Sequence, residues 1–186
     1  MSDTTQVRIL GIAGSLRKGS YNAATLRAAC DLMPDGMRIN VFDIAPIPLY
    51  NEDVRAEGFP EPVQRLRDGI KAADGVLIVT PEYNYSVPGV LKNAIDWASR
   101  PPEQPFDGKP IAIMGASPGI FGTARAQYHL RQCFVFLNGL VMNRPEVMIP
   151  GVSNKFDEEG RLKDEQTREF IASGLKAFKQ WIARVK

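Results

Sequence analysis

Residues 7–22 read V-R-I-L-G-I-A-G-S-L-R-K-G-S-Y-N, an apolar run followed by a loop of small, hydroxyl and cationic residues. The apolar half predicts a buried strand, and the segment after the loop has the spacing of a helix. Glycines let backbone N–H groups converge in such a loop, and the start of the helix adds partial positive charge. The stretch therefore predicts an α/β fold in which a strand-to-helix loop binds a phosphate group.

The donors in this loop favour phosphate binding over an ordinary turn. Ser15, Ser20 and Asn22 can donate hydrogen bonds, and Arg17 can donate charge-assisted ones. The loop lacks the Gly-Lys-Ser/Thr ending of a Walker loop. Its glycines also lack the spacing of the dinucleotide-binding motif, so neither of these two nucleotide-binding classes is indicated.

Length and charge restrict the possible classes of protein. The 186 residues suit a single domain, residues 1–186, with one large core. A net charge of +2 gives no support for nucleic acid as the main partner. No apolar stretch reaches the ~20 residues of a membrane span, and residues 1–6 lack the apolar core of a signal peptide. We therefore expect a cytoplasmic protein with no membrane partner.

Cysteine and histidine are scarce. Cys30 and Cys133 are too few and too far apart for a disulfide framework or a metal site, which fits a reducing compartment. His129 is the one histidine, so a site with several histidine ligands is excluded. It falls inside a predicted helix, away from the predicted cleft, and we expect a structural or exposed side chain.

Apolar runs alternate with helix-period segments, which predicts a doubly wound sheet with helices on both faces. The predicted strands are Val7–Ala13, Met37–Asp43, Gly75–Thr80, Ile111–Gly115 and Leu140–Ile149, the last interrupted near Asn143–Pro145. The predicted helices are Asn22–Met33, Pro62–Ala73, Val87–Ser99, Gly122–Leu137 and Asp164–Val185. Ser86 is the expected N-cap of the third helix, and Ala45–Pro60 is expected to be a long irregular connection.

Three loops, the first of them Gly14–Asn22, follow predicted strands and should meet beyond the carboxyl edge of the sheet, where such sheets bind ligands. The second loop, Pro81–Ser86, contains two tyrosines and predicts a rigid wall whose backbone N–H groups face a ring. A capped loop with exposed aromatic residues is the alternative. The third loop, Ala116–Thr123, is rich in small residues that let a planar ligand approach.

Together these segments resemble the NAD(P)H-dependent FMN reductase family of flavodoxin-like proteins, and most closely its chromate or quinone reductase branch. The motifs are G-S-L-R-K-G-S-Y-N at Gly14–Asn22, P-E-Y-N at Pro81–Asn84 with S-V-P-G following, and G-A-S-P-G at Gly115–Gly119. The resemblance extends from Val7 to about Ile182. It implies a flavodoxin-like α/β fold with a five-stranded parallel sheet in the order 2-1-3-4-5.

By this resemblance the chain is an FMN-dependent NAD(P)H oxidoreductase that passes electrons by a ping-pong mechanism to quinones, flavins or oxyanions such as chromate. FMN carries the difficult chemistry, so no catalytic side chain and no metal are expected. The sequence does not indicate which of these acceptors is the physiological one, or whether NADH or NADPH is preferred. The implied FMN contacts are Ser15, Leu16, Arg17, Lys18, Ser20, Tyr21, Asn22, Pro81, Glu82, Tyr83, Asn84, Tyr85, Ser117 and Gly119.

Two interpretations compete with this one. A flavodoxin-type electron carrier would bind FMN without oxidising NAD(P)H itself, but carriers that dock on electropositive partners are expected to be acidic. A phosphate-binding α/β protein without flavin would be colourless. Arg100 and Tyr85 are candidates for the border of the acceptor pocket, although an arginine beside Pro101 is more often a solvated charge.

The fourth predicted helix suggests a subunit contact. Cys133–Leu137 reads C-F-V-F-L and is apolar on all sides, whereas a helix on one face of a sheet needs one apolar stripe. A helix covered by the chain end is the alternative. We expect a homodimer or homotetramer formed through Arg125–Leu137, with Arg125, Tyr128 and Glu146 at its edge; family members are commonly dimers or tetramers.

Overall fold

The computed structural model describes residues 6–186, and a parallel sheet lies at its centre. Its strands are β1 (Val7–Ala13), β2 (Met37–Phe42), β3 (Gly75–Val79), β4 (Pro110–Ala116), β5 (Leu140–Val141) and β6 (Val147–Ile149). Their order is β2-β1-β3-β4-β5, with β6 also paired to β4, so the predicted order is confirmed. The interpretation that residues 1–6 lack the core of a signal peptide concerns residues that the structure does not describe, apart from Gln6.

The predicted fifth strand is split into two short segments on one edge of β4. β5 pairs with the first residues of β4, at Pro110 and Ile111, and β6 pairs with its last three residues. Pro145 lies between them and has no N–H to donate to a strand ladder. The predicted interruption near Asn143–Pro145 is confirmed, and the part of the sheet formed by residues 6–186 has six strands instead of the predicted five.

Helices cover both faces of the sheet, as predicted. They are α1 (Tyr21–Asp31), α2 (Glu52–Glu57), α3 (Glu61–Ala72), α4 (Gly89–Ala98), α5 (Ala124–Phe136) and α6 (Glu165–Val185), with a 3₁₀ turn at Val152–Asn154. One apolar core joins the sheet to α1 and α6, and a second joins it to α3, α4 and α5. Within residues 6–186, no helix is both long and apolar enough to span a membrane.

The connection at Ala45–Pro60 is not wholly irregular, which corrects the sequence prediction. It contains α2, whose first turn is capped by the side chain of Asn51, which accepts from the Asp53 N–H at 2.9 Å. Glu52 pairs with Arg55 one turn later. No residue of α2 is buried, so the sequence has no apolar period that could indicate this helix.

A buried arginine holds the connection between α4 and β4. The Arg67 guanidinium, on α3, donates to the carbonyl oxygens of Ala98 and Arg100, both at 2.6 Å, and also to that of Pro102. Its other face lies 4.1 Å from the ring centroid of Phe59. The carbonyls at the end of α4 and in the segment that follows it thereby receive hydrogen-bond donors from one side chain.

The C-terminal helix α6 begins at a charged cap. The Asp164 carboxylate accepts from the Thr167 N–H at 3.1 Å and pairs with Lys155 Nζ at 2.7 Å. The hydrogen bonds from Lys155 and then Thr167 lower the pKa of Asp164 to about 2. A carboxylate at this position also interacts favourably with the helix dipole.

Candidate functional site

A cleft of about 340 Å³ lies where the three predicted loops meet at the carboxyl edge of the sheet. Its volume is in the range of small-molecule and cofactor sites. We call it the three-loop cleft. Its lining residues are Ser15, Arg17, Ser20, Tyr21, Asn22, Pro81, Glu82, Tyr83, Ala116, Ser117 and Pro118.

The first loop offers free donors to this cleft. Ser20 is the N-cap of α1, and its side chain accepts from the Ala23 N–H. The amides of Tyr21 and Asn22, in the first turn, have no carbonyl one turn earlier in the helix to bond to. Orphan amides at a helix start are typical of an anion site.

Arg17 supplies a positive charge beside those amides. Its guanidinium carbon lies 5.6 Å from the ring centroid of Tyr21, and its backbone N–H donates to Ser15 Oγ at 3.3 Å. Within residues 6–186, no carboxylate forms an ion pair with Arg17. A cation that faces a cleft without an internal counterion is suited to an anionic ligand.

Asn22 has a structural role in this arrangement. Its Nδ2 donates to the Ala116 carbonyl at 3.0 Å, and its Oδ1 accepts from the Ala116 N–H at 2.9 Å. The side chain is only 3% exposed. Asn22 therefore joins the first loop to the third, and its side-chain acceptor is already used.

The second loop contains a tight turn. Tyr83 and Ser86 exchange two backbone hydrogen bonds, and between them Asn84 and Tyr85 have φ values of 49° and 65°. Two consecutive positive φ values are typical of a type I′ turn, which non-glycine residues adopt at a cost. The expectation that Ser86 caps α4 is wrong, because this turn engages its backbone and Pro88 occupies the cap position.

Glu82 points away from solvent and toward α5. Its side chain is 9% exposed, and its Oε1 lies 2.6 Å from Arg125 Nε. Its Oε2 accepts from the N–H groups of Arg125 and Ala126 at 3.0 and 3.2 Å. The carboxylate therefore caps a helix that begins 42 residues later in the chain.

The third loop is held close to the sheet. The Ser117 N–H donates to the Ile149 carbonyl at 3.0 Å, and Ser117 Oγ accepts from the Gly119 N–H at 3.1 Å. At Gly115, a Cβ would lie 1.9 Å from Thr123 Oγ1 and 2.5 Å from the Thr80 carbonyl oxygen. Gly115 is thus required for the packing of this loop, and Ser117 is left facing the cleft.

Comparison with known proteins decides the class of ligand. The family model for NADPH-dependent FMN reductase matches residues 7–154. The chain belongs to this FMN reductase family. It is an NAD(P)H-dependent flavin enzyme with FMN as its cofactor, as the sequence motifs predicted.

Relatives cover the whole length of this FMN reductase family member. An NAD(P)H-dependent FMN reductase of Pseudomonas aeruginosa is 61% identical over 186 residues, which is 100% of both chains. A quinone reductase of Escherichia coli is 50% identical, over 97% of this chain and 98% of its own. The structure of a flavoenzyme NAD(P)H:(acceptor) oxidoreductase from Paracoccus denitrificans matches with a TM-score of 0.87 at 38% identity, covering 96% and 98%.

Most predicted cofactor contacts of the family member lie together in the three-loop cleft. Asn84 and Gly119 are adjacent in sequence to lining residues and Tyr85 lies one position further, but none of the three lines the cleft. Leu16 has an exposed side chain. Lys18 lines a neighbouring hollow beside α1, together with Arg27. Ala116 and Pro118 line the cleft and were not predicted, because apolar residues in a loop carry no chemical signal.

Neither Arg100, a candidate for the acceptor pocket, nor His129, expected to be structural or exposed, lines the cleft. Arg100 follows the far end of α4, where its guanidinium donates to the Asp96 carbonyl at 3.0 Å and lies 5.6 Å from the ring centroid of Tyr50. Since α4 has ten residues, its two ends are about 15 Å apart. His129 is exposed on α5, and its Nδ1 lies 3.1 Å from Ser86 Oγ, at the end of the second loop.

Proposed function

We propose that this enzyme transfers electrons from NAD(P)H through FMN to quinones by a ping-pong mechanism. The observation that carries the proposal is the three-loop cleft, whose lining brings together the Arg17 cation, the orphan amides at the start of α1 and the tyrosine-containing turn of the second loop. The quinone reductase of Escherichia coli and a 2-hydroxy-1,4-benzoquinone reductase of Burkholderia, 42% identical, support quinones as acceptors. Free flavin and chromate are further candidate acceptors.

The first loop fits the phosphate of FMN. Arg17, the hydroxyls of Ser15 and Ser20, and the amides of Tyr21 and Asn22 belong to residues of this loop that line the cleft. A phosphate accepts hydrogen bonds from charged and neutral donors alike, and the α1 dipole adds to its binding. Asn22 contributes its backbone, since its side chain is bonded to Ala116.

The second and third loops fit the ring system. Pro81, Tyr83 and Ser117 also line the cleft, and the amides of Glu82, Asn84 and Tyr85 are not used by the turn. FMN, when bound, supplies hydride acceptance and electron transfer. Backbone N–H groups and the start of α4 stabilise negative charge that develops on a ring held beside them.

The cleft favours alternate binding of donor and acceptor. Within the described residues its only lining carboxylate is that of Glu82, which is paired with Arg125 and accepts from α5 amides. One open cleft then serves NAD(P)H and the quinone in turn.

Rapid mixing separates this function from its competitors. We expect yellow purified protein, fast loss of the flavin absorbance on anaerobic mixing with NADPH, and recovery on addition of a benzoquinone. Steady-state rates should give parallel double-reciprocal lines. A yellow protein that NADPH bleaches only slowly would instead be a flavodoxin-type carrier, and a colourless protein that binds no added FMN would contradict the flavin site itself.

We also propose that the exposed end of α5 forms a subunit contact in a homodimer or homotetramer. Val135 and Phe136 are 81% and 89% exposed, while Phe134 on the same helix and Leu137 directly after it are buried. The interpretation of a fully covered helix is therefore not supported. The Tyr128 hydroxyl donates to the Glu146 carboxylate at 3.2 Å. We expect this polar pair to lie at the edge of the contact.

Solution mass tests the contact. Wild-type protein should be a dimer or tetramer at micromolar concentration, and the double substitution Val135→Asp and Phe136→Asp should lower its mass in analytical ultracentrifugation, because buried charge opposes association. Val41→Asp, at an exposed position of the edge strand β2, is the matched control and should leave the mass unchanged. A monomeric wild-type protein would refute the contact.

Arg100 and Tyr85 remain proposed residues of the acceptor pocket, but they differ in whether they can reach an acceptor without a second subunit. Tyr85 is 66% exposed beside the cleft and can reach an acceptor within its own chain. Arg100 lies at the far end of α4, so it can border an acceptor only across a subunit contact.

The two cysteines are consistent with the proposed cytoplasmic location. Cys30 and Cys133 are half-buried free thiols on α1 and α5, which cover opposite faces of the sheet. Burial raises the pKa of both thiols, which keeps them protonated and unreactive at neutral pH.

A further inference from the structure

The N-terminus of α5 is capped by a residue from another segment. Thr123 occupies the cap position with a φ of 73°, and its side chain makes no capping hydrogen bond. The Glu82 carboxylate fills this role by accepting from the N–H groups of Arg125 and Ala126. Since Glu82 belongs to the second loop, which follows β3, these hydrogen bonds attach that loop to α5.

Arg125 strengthens the same attachment. Besides its 2.6 Å contact with Glu82, its guanidinium carbon lies 3.7 Å from the ring centroid of Tyr85 and 4.4 Å from that of Phe121. One cation therefore binds the second loop at two points and the third loop at one. Stacking on two rings fixes the guanidinium plane, which a lysine could not reproduce.

A second attachment lies one helical turn further along. His129 is four residues after Arg125 on the same side of α5, and its Nδ1 is 3.1 Å from Ser86 Oγ. We call the Glu82–Arg125 and Ser86–His129 contacts the α5 clamp. The clamp holds both ends of the turn that contains Asn84 and Tyr85, whose positive φ values are unfavourable for these residues.

We propose that the α5 clamp, with Glu82 as its principal residue, positions the backbone amides of the second loop against the FMN ring. This inference rests on the proposed function, in which those amides stabilise negative charge on the ring. Glu82 is thus a positioning residue, because its carboxylate is engaged by Arg125 and by α5 amides. Without the clamp, the strained turn relaxes and the amides move from their places.

The midpoint potential of bound FMN distinguishes positioning from a direct effect of charge. Amides that are displaced stabilise the reduced, negatively charged ring less, so Glu82→Ala should lower the potential. Through-space electrostatics has the opposite sign, because removal of a carboxylate near the ring favours its reduced form. A tenfold larger loss of affinity for reduced than for oxidised FMN corresponds to a fall of about 30 mV.

Asp164→Ala provides the matched control. Asp164 also caps a helix and pairs with a cation, Lys155, but it lies on α6 and does not line the three-loop cleft. Both substitutions should lower the melting temperature. Only Glu82→Ala should lower the potential, and Glu82→Gln, which keeps an oxygen acceptor for the α5 amides, should lie closer to the wild type.

Spectroelectrochemical titration of the FMN-loaded proteins decides the matter. A potential of Glu82→Ala equal to or above that of the wild type overturns the inference, whatever happens to thermal stability. If Glu82→Ala does not fold, Ser86→Ala replaces it: this uncharged change should cause a smaller fall, and no fall overturns the clamp. Wild-type protein that failed to bind FMN would refute the proposed function instead, so the two failures are distinguishable.

Discussion

Replacement of Arg17 by alanine is expected to weaken FMN binding by about ten- to a hundredfold. A hydrogen bond to a charged group contributes about 1.5–3 kcal/mol, and each 1.4 kcal/mol is about a tenfold change in affinity. Arg17 has no carboxylate partner within residues 6–186, so its removal leaves no protein group unpaired. The loss would therefore report the interaction with the phosphate itself.

Fluorescence titration of FMN-free protein measures this effect. Arg27→Ala is the control, since Arg27 is an exposed cation on α1 that lines the neighbouring hollow instead of the cleft. It should change FMN affinity less than twofold, whereas Arg17→Lys should be intermediate, because a lysine keeps the charge but loses the forked geometry. Equal affinity of Arg17→Ala and wild type would remove Arg17 from the phosphate site.

The second large effect concerns stability. Asn22→Ala should lower the free energy of unfolding by about 2–4 kcal/mol, because it leaves the buried N–H and C=O groups of Ala116 without partners. Both groups belong to the end of β4, where the third loop begins. Urea denaturation of wild-type and variant protein provides the measurement.

Asn93 offers a control that makes the same kind of hydrogen bonds at a position more exposed to solvent. Its side-chain amide also bridges two backbone groups, accepting from the Tyr50 N–H and donating to the Pro48 carbonyl, both at 2.8 Å. Asn93 is only partly buried, so water can replace it, and Asn93→Ala should cost less than half as much. Similar losses from both variants would mean that burial of the Asn22 bridge contributes nothing.

Regular elements close to the core are predictable from sequence, because burial imposes a pattern on them. β3 reads G-V-L-I-V and is buried at every position, and α6 repeats an apolar residue every three or four positions. α2 is not predictable in this way, since it buries none of its residues and depends on the Asn51 cap. The residues of α2 are mostly polar, as is typical of a loop between regular elements.

The site is predictable in its residue types but not in its internal contacts. Donors in the first loop and tyrosines in the second can be identified along the chain, because each loop directly follows a strand. The partnership of Glu82 with Arg125 joins residues 43 positions apart, and no local pattern indicates it. Asn22 likewise has the right type for phosphate binding, yet its side chain bonds to a backbone 94 positions away.

The guanidinium of Arg67 has a consequence for the dynamics of the molecule. It serves carbonyls on both sides of the Pro101–Pro102 bond, in a stretch that would otherwise be an ordinary surface loop. This loop cannot move away from α3 unless the buried Arg67 guanidinium breaks its hydrogen bonds to these carbonyls at the same time. The motion of the loop is therefore coupled to that of α3. The two should open together, as one cooperative unit in hydrogen exchange, instead of fraying separately.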